Sequence, residues 1–557
     1  MKQTILRYHK HFFYGSWLLL NLLQSAATGL LDDEAYYWVY AQFPAWGYFD
    51  HPPMIAWMIK AGYSIFQNEL GVRIVAAIMS TATLYLIEKL LNKKDDRLFY
   101  TIALSIGIIQ VGGIMAVPDT PLMFFTAMFF WVYKKFLDNK NALNIFLLGL
   151  SIALLFYSKY HGLLVVLLTL ASNPKLLLRY QAWMVALVAL TLFLPHIFWQ
   201  YQNGFPSVHF HLFERNAPAY RPSFTLEYIG AQIALAGPLA GWIFLWAAFK
   251  RRPADLLEKA LKYATTGIYI FFLISTLKGR SEGNWTLPAF IGLIVLSHQY
   301  LFDKFRLRVW LARLAAVTIV LILGVRLFFL TNYLKPFGKK DGQVHNNKEW
   351  ATDIQRFAIG KTIFFVDSYQ RASKYWFYTG TPAFSLNTVN YRRNNFNFWK
   401  MEDTIQGEPV YAIYQGKHQD YFSDSIPTAK GIYLGRDIPD YFSFSRLRFD
   451  AKDVKGRKGE QISVPLKVRT DPESLQRIVP PYDSARVYVA LYKYVKDDPA
   501  VLQTELKVRF IKQKNEEAIA SFKLPDTAGK YVIRFAVGSC LRYPSMNSSV
   551  IRLRVTE

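Results

Sequence analysis

The sequence predicts an α-helical polytopic membrane domain followed by a soluble α/β unit and a C-terminal antiparallel β-sandwich. Long apolar stretches fill the 557-residue chain to about Leu330, whereas charged residues are dense after that point. After the apolar part, an amphipathic helix at 350–357, a buried strand at 361–367 and a helix at 369–378 indicate an α/β unit. Beyond about Tyr441, short runs alternate between apolar and polar residues, as the strands of a sandwich do, and we expect strands at 461–468, 486–492, 507–511, 531–537 and 550–555. We therefore expect a transmembrane domain over residues 1–333, an α/β unit over 334–440 and a β-sandwich over 441–557.

We expect about eleven membrane spans in the first domain. Nine apolar segments are long enough to cross a hydrocarbon core of about 30 Å. The stretch from Ala142 to Ser172 would be about 45 Å long as one helix. We therefore predict two spans there, joined by a turn at the polar segment 158–162. The nine other segments are residues 12–30, 71–91, 98–117, 121–137, 181–199, 227–249, 262–277, 286–301 and 309–330.

Basic residues favour this topology. The formal net charge is +25, and strongly basic loops such as Lys93–Arg97 and Lys250–Arg252 all fall on one side if the N-terminus is cytoplasmic. Cytoplasmic loops of membrane proteins are enriched in Lys and Arg. An odd number of spans then places everything after Leu330 outside. No nucleic-acid recognition motif accompanies the charge, so we expect the lipid bilayer as the partner and no nucleic acid.

Acidic and aromatic residues cluster in the loops of the opposite, outer face. The first of these loops opens with the segment Asp32–Trp38. If this segment is helical, Asp33, Tyr36 and Tyr37 fall on neighbouring positions. A carboxylate beside aromatic rings suits a sugar, because the acid can take a hydroxyl proton and the rings can cover the sugar's apolar face. An interfacial aromatic belt with solvated acids is the alternative interpretation.

The same loop carries a family resemblance. Asp33–Trp38, Gly47–Trp57 and Glu69–Arg73 together resemble the first-loop signature of the protein mannosyltransferase family. The resemblance is closest to the bacterial branch that includes the aminoarabinose transferases of lipid A, and it extends more loosely to about residue 330. It implies the GT-C fold, a multi-span membrane domain that takes a sugar from a polyprenyl phosphate.

The resemblance also implies which carboxylates are catalytic. Asp33 matches the essential aspartate of the family, and Glu34 lies beside it. Asp119, in Pro118–Leu122 after the third span, resembles a second outward acid of the family. Asp33 would remove the proton of an acceptor hydroxyl or align that hydroxyl. A simple turn acid is the alternative interpretation of Asp119.

Further outer-face residues are candidates for holding the substrates. Lys159 would neutralise a lipid phosphate, although a lysine that snorkels to the interface is the alternative. A divalent metal between Asp33, Asp119 and the phosphate is left open, and no other cofactor is expected. The pair His209 and His211 provides too few ligands for a metal site. The predicted substrate-binding residues are Tyr36, Tyr37, His51, Lys159, His161, His209, Arg215, Lys278, Arg280, Glu282 and Trp285.

These observations predict a glycosyltransferase of the bacterial inner membrane, with its active site and C-terminal half in the periplasm. It would move a sugar from a polyprenyl-phosphate donor to lipid A, another glycolipid, a glycan or a protein. A transporter or flippase of a lipid-linked sugar is the alternative, but transporters usually place ionisable residues within their spans. A third alternative is an inactive anchor for the β-sandwich, against which the presence of Asp33, Asp119 and Lys159 argues.

Overall fold

The computed structural model describes residues 2–211, 220–331, 343–415, 421–470, 475–476, 478–493, 499–511 and 516–557. The chain divides into two compact units. Unit 1 contains Met1–Ser207 and Ala219–His345, and unit 2 contains Val208–Pro218 and Asn346–Glu557. This division does not separate residues 346–440 from 441–557. The predicted domain boundaries at 333 and 440 therefore stay predictions.

The described residues up to Leu330 form helices and the loops between them. Polar side chains begin several of these helices: Asn68, Asn141 and Asp255 each accept a hydrogen bond from a backbone N–H of the first turn. The helices are α1 (Lys2–Ala27), α2 (Asp32–Gln42), α3 (Met54–Tyr63), α4 (Glu69–Leu90), α5 (Asp96–Ser105), α6 (Gly107–Gly112), α7 (Asp119–Asp138), α8 (Ala142–Ser158), α9 (Gly162–Ser172), α10 (Tyr180–Gln202), α11 (Pro206–His209), α12 (Pro222–Ala236), α13 (Gly241–Lys250), α14 (Leu256–Ser275), α15 (Ala289–Leu301) and α16 (Phe305–Leu330).

Among the described residues, three helices are long and apolar enough to cross a membrane: α4, α10 and α16. The pair of α12 and α13, bent by 96°, forms a fourth candidate. The stretch 142–172 forms two helices, as expected, because α8 ends at Ser158 and α9 begins at Gly162. The total of eleven spans stays a prediction.

Two of the expected spans are broken. The segment 98–117 breaks at Ile106, and the side chain of Gln110 donates a hydrogen bond of 3.2 Å to the carbonyl of Leu104 near the break. The segment 227–249 breaks after Gly237, whose φ of +142° favours glycine. A Cβ at that position would lie 2.6 Å from the carbonyl oxygen of Ser105, so the close approach also requires glycine. Apolar composition alone predicted continuous helices at both places.

A buried arginine joins three helices of unit 1. Arg326 of α16 is 3% exposed. Its guanidinium donates to the side-chain oxygens of Gln24, Gln110 and Asn21 at 2.5, 2.9 and 2.7 Å. Because a cation inside a membrane protein is costly without polar partners, these amides stabilise the packing of α1 and α6 on α16.

Unit 2 begins with a mixed α/β arrangement. Its strand β1 (Thr362–Val366) pairs in parallel with both β2 (Phe384–Leu386) and β3 (Val410–Tyr414). The sheet has the order β2-β1-β3-β5-β4, where β4 is Asp424–Thr428 and β5 is Gly431–Ile438. The helices α17 (Asn347–Phe357) and α18 (Tyr369–Thr379), and the strand β1, lie where the sequence predicted them.

The C-terminal part of unit 2 is rich in β-strands. The strands are β6 (Arg448–Asp450), β7 (Val454–Arg457), β8 (Gln461–Arg469), β9 (Arg486–Tyr492), β10 (Ala500–Lys507), β11 (Glu517–Lys523), β12 (Gly529–Val537), β13 (Ser545–Met546) and β14 (Ile551–Thr556). They form two sheets, in the orders β10-β9-β12-β14-β7 and β11-β8-β6, and β13 pairs with β12. Buried side chains of both sheets, such as Leu466, Phe522, Val489 and Phe535, belong to one hydrophobic cluster.

Two details differ from the expected antiparallel pattern. The strands β7 and β14 pair in parallel. The expected strand 507–511 is wrong, because Val508–Phe510 forms a 3₁₀ helix. Val508 and Ile511 are buried three residues apart while Phe510 is 52% exposed. That spacing matches a helical turn, not the two-residue period of a strand.

Candidate functional site

The two neighbouring acids at the start of α2 have different surroundings. Glu34 is fully buried, and both of its oxygens accept hydrogen bonds from Arg73, at 2.7 Å from Nε and 2.5 Å from Nη2. The backbone N–H groups of Leu31 and Ala116 donate to the same carboxylate at 2.9 and 2.7 Å. Four donors therefore engage the carboxylate of Glu34. Asp33 is exposed.

The first turn of α2 explains this arrangement. Asp32, Asp33 and Glu34 lie at the N-terminus of the helix, where negative charge interacts favourably with the helix dipole. The side chain of Glu34 folds back to the N–H of Leu31, which would otherwise lack an intrahelical acceptor. Its contact with Ala116 also joins α2 to the segment that leads into Asp119.

Aromatic side chains of α2 contact the second half of the first-loop motif. The Tyr40 hydroxyl donates to the buried carboxylate of Asp50, and the rings of Tyr40 and Tyr48 stack with their centroids 4.1 Å apart. Burial, together with the charge of Asp50, holds the pKa of Tyr40 well above its usual range, so Tyr40 remains a donor. The Tyr37 hydroxyl lies 3.2 Å from Nε2 of His51. Tyr36 is buried in the same group of rings.

A second polar cluster lies where α7 begins and α8 ends. The ammonium of Lys159 donates to both oxygens of Asp119 at 2.8 and 2.9 Å. The side-chain amide of Asn284 donates to Asp119 Oδ2 at 2.9 Å. Asp119 and Lys159 are 6% and 7% exposed. This pair is therefore closed to most solvent, so its electrostatic interaction is stronger than that of a surface pair.

The residues next to this cluster are aromatic. The ring of His161 lies 5.6 Å from that of Trp285 and 5.1 Å from that of Phe272. Trp285 and Phe272 are themselves 5.5 Å apart. His161, in the polar segment between α8 and α9, therefore contacts Trp285. Both residues were predicted to belong to the site.

A hydrogen-bonded chain fixes the first outer loop to α10. The Tyr160 hydroxyl lies 3.1 Å from Nε2 of His196, and Nδ1 of His196 lies 2.7 Å from the carbonyl oxygen of Trp46. The amide of Gln200 donates to Tyr160 at 2.9 Å and to Ser207 at 2.7 Å. Ser207 donates in turn to the carbonyl oxygen of Tyr48. Polar residues of α10 therefore position the loop that follows α2.

The other predicted site residues are exposed or lie outside the described residues. Lys278 and Glu282 are exposed. Arg280 forms an exposed pair with Glu227, in which N and O are 3.5 Å apart. His209 is exposed and belongs to unit 2. Arg215 lies outside the described residues.

These clusters also contain residues that were not predicted to belong to the site, among them Arg73, Asn284 and His196. Arg73 lies inside a motif that the sequence singled out, and Asn284 lies between two predicted site residues, but nothing in the sequence indicated which acids they contact. The described part of the chain contains no group of three His, Cys, Asp or Glu side chains that could hold a metal ion.

Comparisons with known proteins agree with the resemblance. Residues 50–199 match the family described as dolichyl-phosphate-mannose-protein mannosyltransferase. The family resemblance expected from the sequence is confirmed. The matched region includes His51, Asp119, Lys159 and His196, and it begins after α2.

Two similar proteins come from Rhizobium johnstonii. One is a lipid A galacturonosyltransferase, 25% identical over 301 residues, which are 51% of this chain and 63% of the relative. The other is a lipopolysaccharide core galacturonosyltransferase, 30% identical over 184 residues, which are 31% of this chain and 37% of the relative. The chain thus spans less than two thirds of the length of either relative. Both relatives are glycosyltransferases by name.

Solved structures of ArnT from Cupriavidus metallidurans have a similar fold. The apo structure and the structure bound to undecaprenyl phosphate match with TM-scores of 0.57 and 0.56. Each comparison covers 77% of this chain and 98% of the other, at 13% identity. The chain therefore has an ArnT-like GT-C fold, with a helical N-terminal domain and a β-rich C-terminal region.

Proposed function

We propose that this protein is a glycosyltransferase that moves a sugar from a polyprenyl phosphate to an acceptor on the outer face of the bacterial inner membrane. The observation that carries the proposal is the contact of Glu34 with both Arg73 and the N–H of Ala116. This contact fixes the helix that bears Asp33 beside the segment that bears Asp119. Asp33 and Asp119, the two acids that the family resemblance identifies, therefore lie on segments that are joined by hydrogen bonds.

In this proposal Asp33 is the catalytic base. Its neighbour Glu34 is occupied by four donors, whereas Asp33 is exposed at the same helix terminus. The acceptor hydroxyl gives its proton to Asp33 while its oxygen forms a bond to the anomeric carbon. The bond between that carbon and the phosphate oxygen breaks, and the electron pair leaves with the polyprenyl phosphate. Glu34 then acts as a positioning residue.

The cluster of Lys159, Asp119 and Asn284 is proposed to hold the donor phosphate. An ammonium has three N–H donors, and two of those of Lys159 contact Asp119. The third can reach a phosphate oxygen, and its charge stabilises the leaving group as the bond breaks. Asn284 keeps the Asp119 carboxylate aligned on Lys159, so that the ammonium points in a fixed direction.

We further propose eleven spans, with the cytoplasmic side at the basic loops and unit 2 in the periplasm. The helices α8 and α9 support two crossings in 142–172, and the broken pairs α5 with α6 and α12 with α13 each count as one. The shared hydrophobic cluster of the two C-terminal sheets supports a β-sandwich. We propose that this part of unit 2 helps to bind the acceptor.

A glycolipid is the acceptor that we favour, because the two relatives from Rhizobium johnstonii are named for lipid A and the lipopolysaccharide core. The test uses purified full-length protein, lipid A, and undecaprenyl phosphate carrying galacturonic acid or aminoarabinose. Transfer of either sugar to lipid A, detected by mass spectrometry, is the expected result. Movement of the donor across vesicles without transfer would favour a flippase and contradict the proposal.

A further inference from the structure

An apolar cavity of about 230 Å³ lies among α7, α8, α9 and α10. Among the described residues that line it, only Tyr133 and Thr169 have polar side-chain atoms. The apolar lining includes Phe129, Phe136, Leu148, Phe156, Leu176 and Phe193. A cavity with such walls excludes water and suits a hydrocarbon, as an engineered apolar cavity of about 150 Å³ does when it binds benzene.

The cavity extends along the helices that carry the Asp119–Lys159 pair. On α8, Phe156 and Leu148 precede Lys159 by three and eleven residues, which correspond to about 5 and 17 Å of helix. On α7, Phe136 follows Asp119 by 17 residues, or about 26 Å. The middle of a hydrocarbon core lies about 15 Å from either face. Measured from the Asp119–Lys159 pair, the lining thus extends beyond the middle of the bilayer.

One wall of the cavity opens sideways. Ala186 and Leu190 of α10 line the cavity, and both are exposed; Leu190 has 53% of its surface accessible. Neighbouring residues of the same apolar helix, Trp183 and Leu187, are each 64% exposed. In a membrane this surface faces lipid, so a hydrocarbon chain can enter the cavity from the bilayer without passing through water.

We propose that this cavity binds a distal part of the polyprenyl chain of the donor, and this proposal rests on the proposed function. Length distinguishes this occupant from an ordinary lipid. An acyl chain anchored at either face ends near the middle of the bilayer, about 15 Å deep, so it reaches only one end of the lining. A polyprenyl chain with its phosphate near Lys159 is long enough to reach Phe136 and Leu176.

The size of the cavity agrees with this occupant. If about 150 Å³ holds the six carbons of benzene, then 230 Å³ holds on the order of nine carbons, or roughly two isoprene units. Phenylalanine rings along the cavity provide flat apolar surfaces for a chain of double bonds and methyl groups. The cavity would therefore select donors by tail length, separately from the polar cluster that selects the phosphate.

The test measures binding of two phosphates to the full-length protein: undecaprenyl phosphate, and inorganic phosphate, which has no tail. We expect Ala189→Phe, which fills the cavity from a buried position on α10, to weaken the binding of undecaprenyl phosphate at least about tenfold. Inorganic phosphate should bind equally to the wild type and the variant. Leu187→Phe, on the lipid-facing side of α10, is the matched control and should change neither affinity.

A second variant, Ala182→Leu, fills less space and guards against misfolding of Ala189→Phe; it should give a smaller loss in the same direction. Equal undecaprenyl phosphate affinities in the wild type and both filled variants would overturn the cavity assignment and leave the donor proposal standing. Mass spectrometry of the purified proteins provides a second check. If the wild type retains a phospholipid that the filled variants lose, while all of them bind undecaprenyl phosphate equally, the assignment is also overturned. If the wild type binds neither phosphate, both proposals fail.

Discussion

The carboxylate of Glu34 and the guanidinium of Arg73 form a two-point ion pair closed to solvent, with side chains 0% and 1% exposed. Arg73 also donates to the carbonyl oxygens of Ser25, Thr28 and Gly29. The pair therefore joins the end of α1, the start of α2 and the body of α4. Glu34 therefore has a structural role, whereas its neighbour Asp33 is exposed.

Replacing Glu34 should lower the free energy of unfolding more than replacing a catalytic residue would. In Glu34→Gln the charge of Arg73 stays buried without its anion, which typically costs about 3–5 kcal/mol. We expect a lower thermal unfolding temperature in detergent and poor insertion. The double variant Glu34→Gln with Arg73→Met should recover part of the loss, because it removes the uncompensated charge. A Glu34→Gln protein with normal unfolding but no turnover would instead indicate a catalytic Glu34.

The helices could be predicted because apolar runs and polar caps are local in sequence. The break between α8 and α9 could also be predicted, since Ser158–Gly162 interrupts an apolar stretch. The contacts between residues of the site could not be predicted from the sequence. Glu34 and Arg73 lie 39 residues apart and Asp119 and Lys159 lie 40 apart, so only the packing of helices decides that they meet.

The break at Ile106, within the expected span 98–117, could not be predicted for the same reason. The interruption at Ile106 follows from polar contacts of Gln110 and from packing, neither of which hydrophobicity reports. At the site, the contact of Asn284 could not be predicted either. This residue stands in a loop where the sequence drew attention to Glu282 and Trp285, yet it is Asn284 that contacts Asp119.

Asn284 should control donor affinity through Asp119. The hydrogen bond to a carboxylate is worth about 1.5–3 kcal/mol, so Asn284→Ala should weaken binding of undecaprenyl phosphate by about tenfold or more. The lost alignment of Lys159 is the physical reason. Binding can be measured by isothermal titration in detergent. Asn144→Ala, which removes a half-buried asparagine at the start of α8, is the control, and an equal loss there would contradict the prediction.

Asp367 should give unit 2 a pH-dependent stability. It accepts hydrogen bonds from the backbone and hydroxyl of Thr388, and burial raises its pKa from 3.8 to about 6. A raised carboxyl pKa means that the folded state holds the proton more tightly. The free energy of unfolding therefore falls as pH rises from about 4 to 6, by about 3 kcal/mol.

The control for this prediction is Asp367→Asn. Asparagine tolerates the positive φ of 52° at this position and can keep both contacts with Thr388. Its unfolding temperature should match that of the wild type near pH 4 and exceed it above pH 6. Parallel pH profiles of the two proteins would show that Asp367 does not titrate in this range.

The orientation of the chain can be tested at its end. Eleven spans with a cytoplasmic N-terminus place Glu557 in the periplasm, because the basic loops stay inside. Alkaline phosphatase fused after Glu557 should therefore be active in cells, whereas a fusion within the loop at Lys250–Arg252 should not. Activity of a cytoplasm-only reporter at Glu557 would rule out the eleven-span topology.

Asp33→Asn should abolish most transfer while the protein stays folded. The exposed side chain keeps its size and loses only its charge, so unfolding should be nearly normal. General-base help contributes about 10²–10⁴ in rate, and sugar transfer to lipid A should fall at least that far while undecaprenyl phosphate still binds. Asp32→Asn, the neighbouring acid, should have a milder effect. If Asp32→Asn abolishes turnover and Asp33→Asn retains it, the base must be reassigned to Asp32.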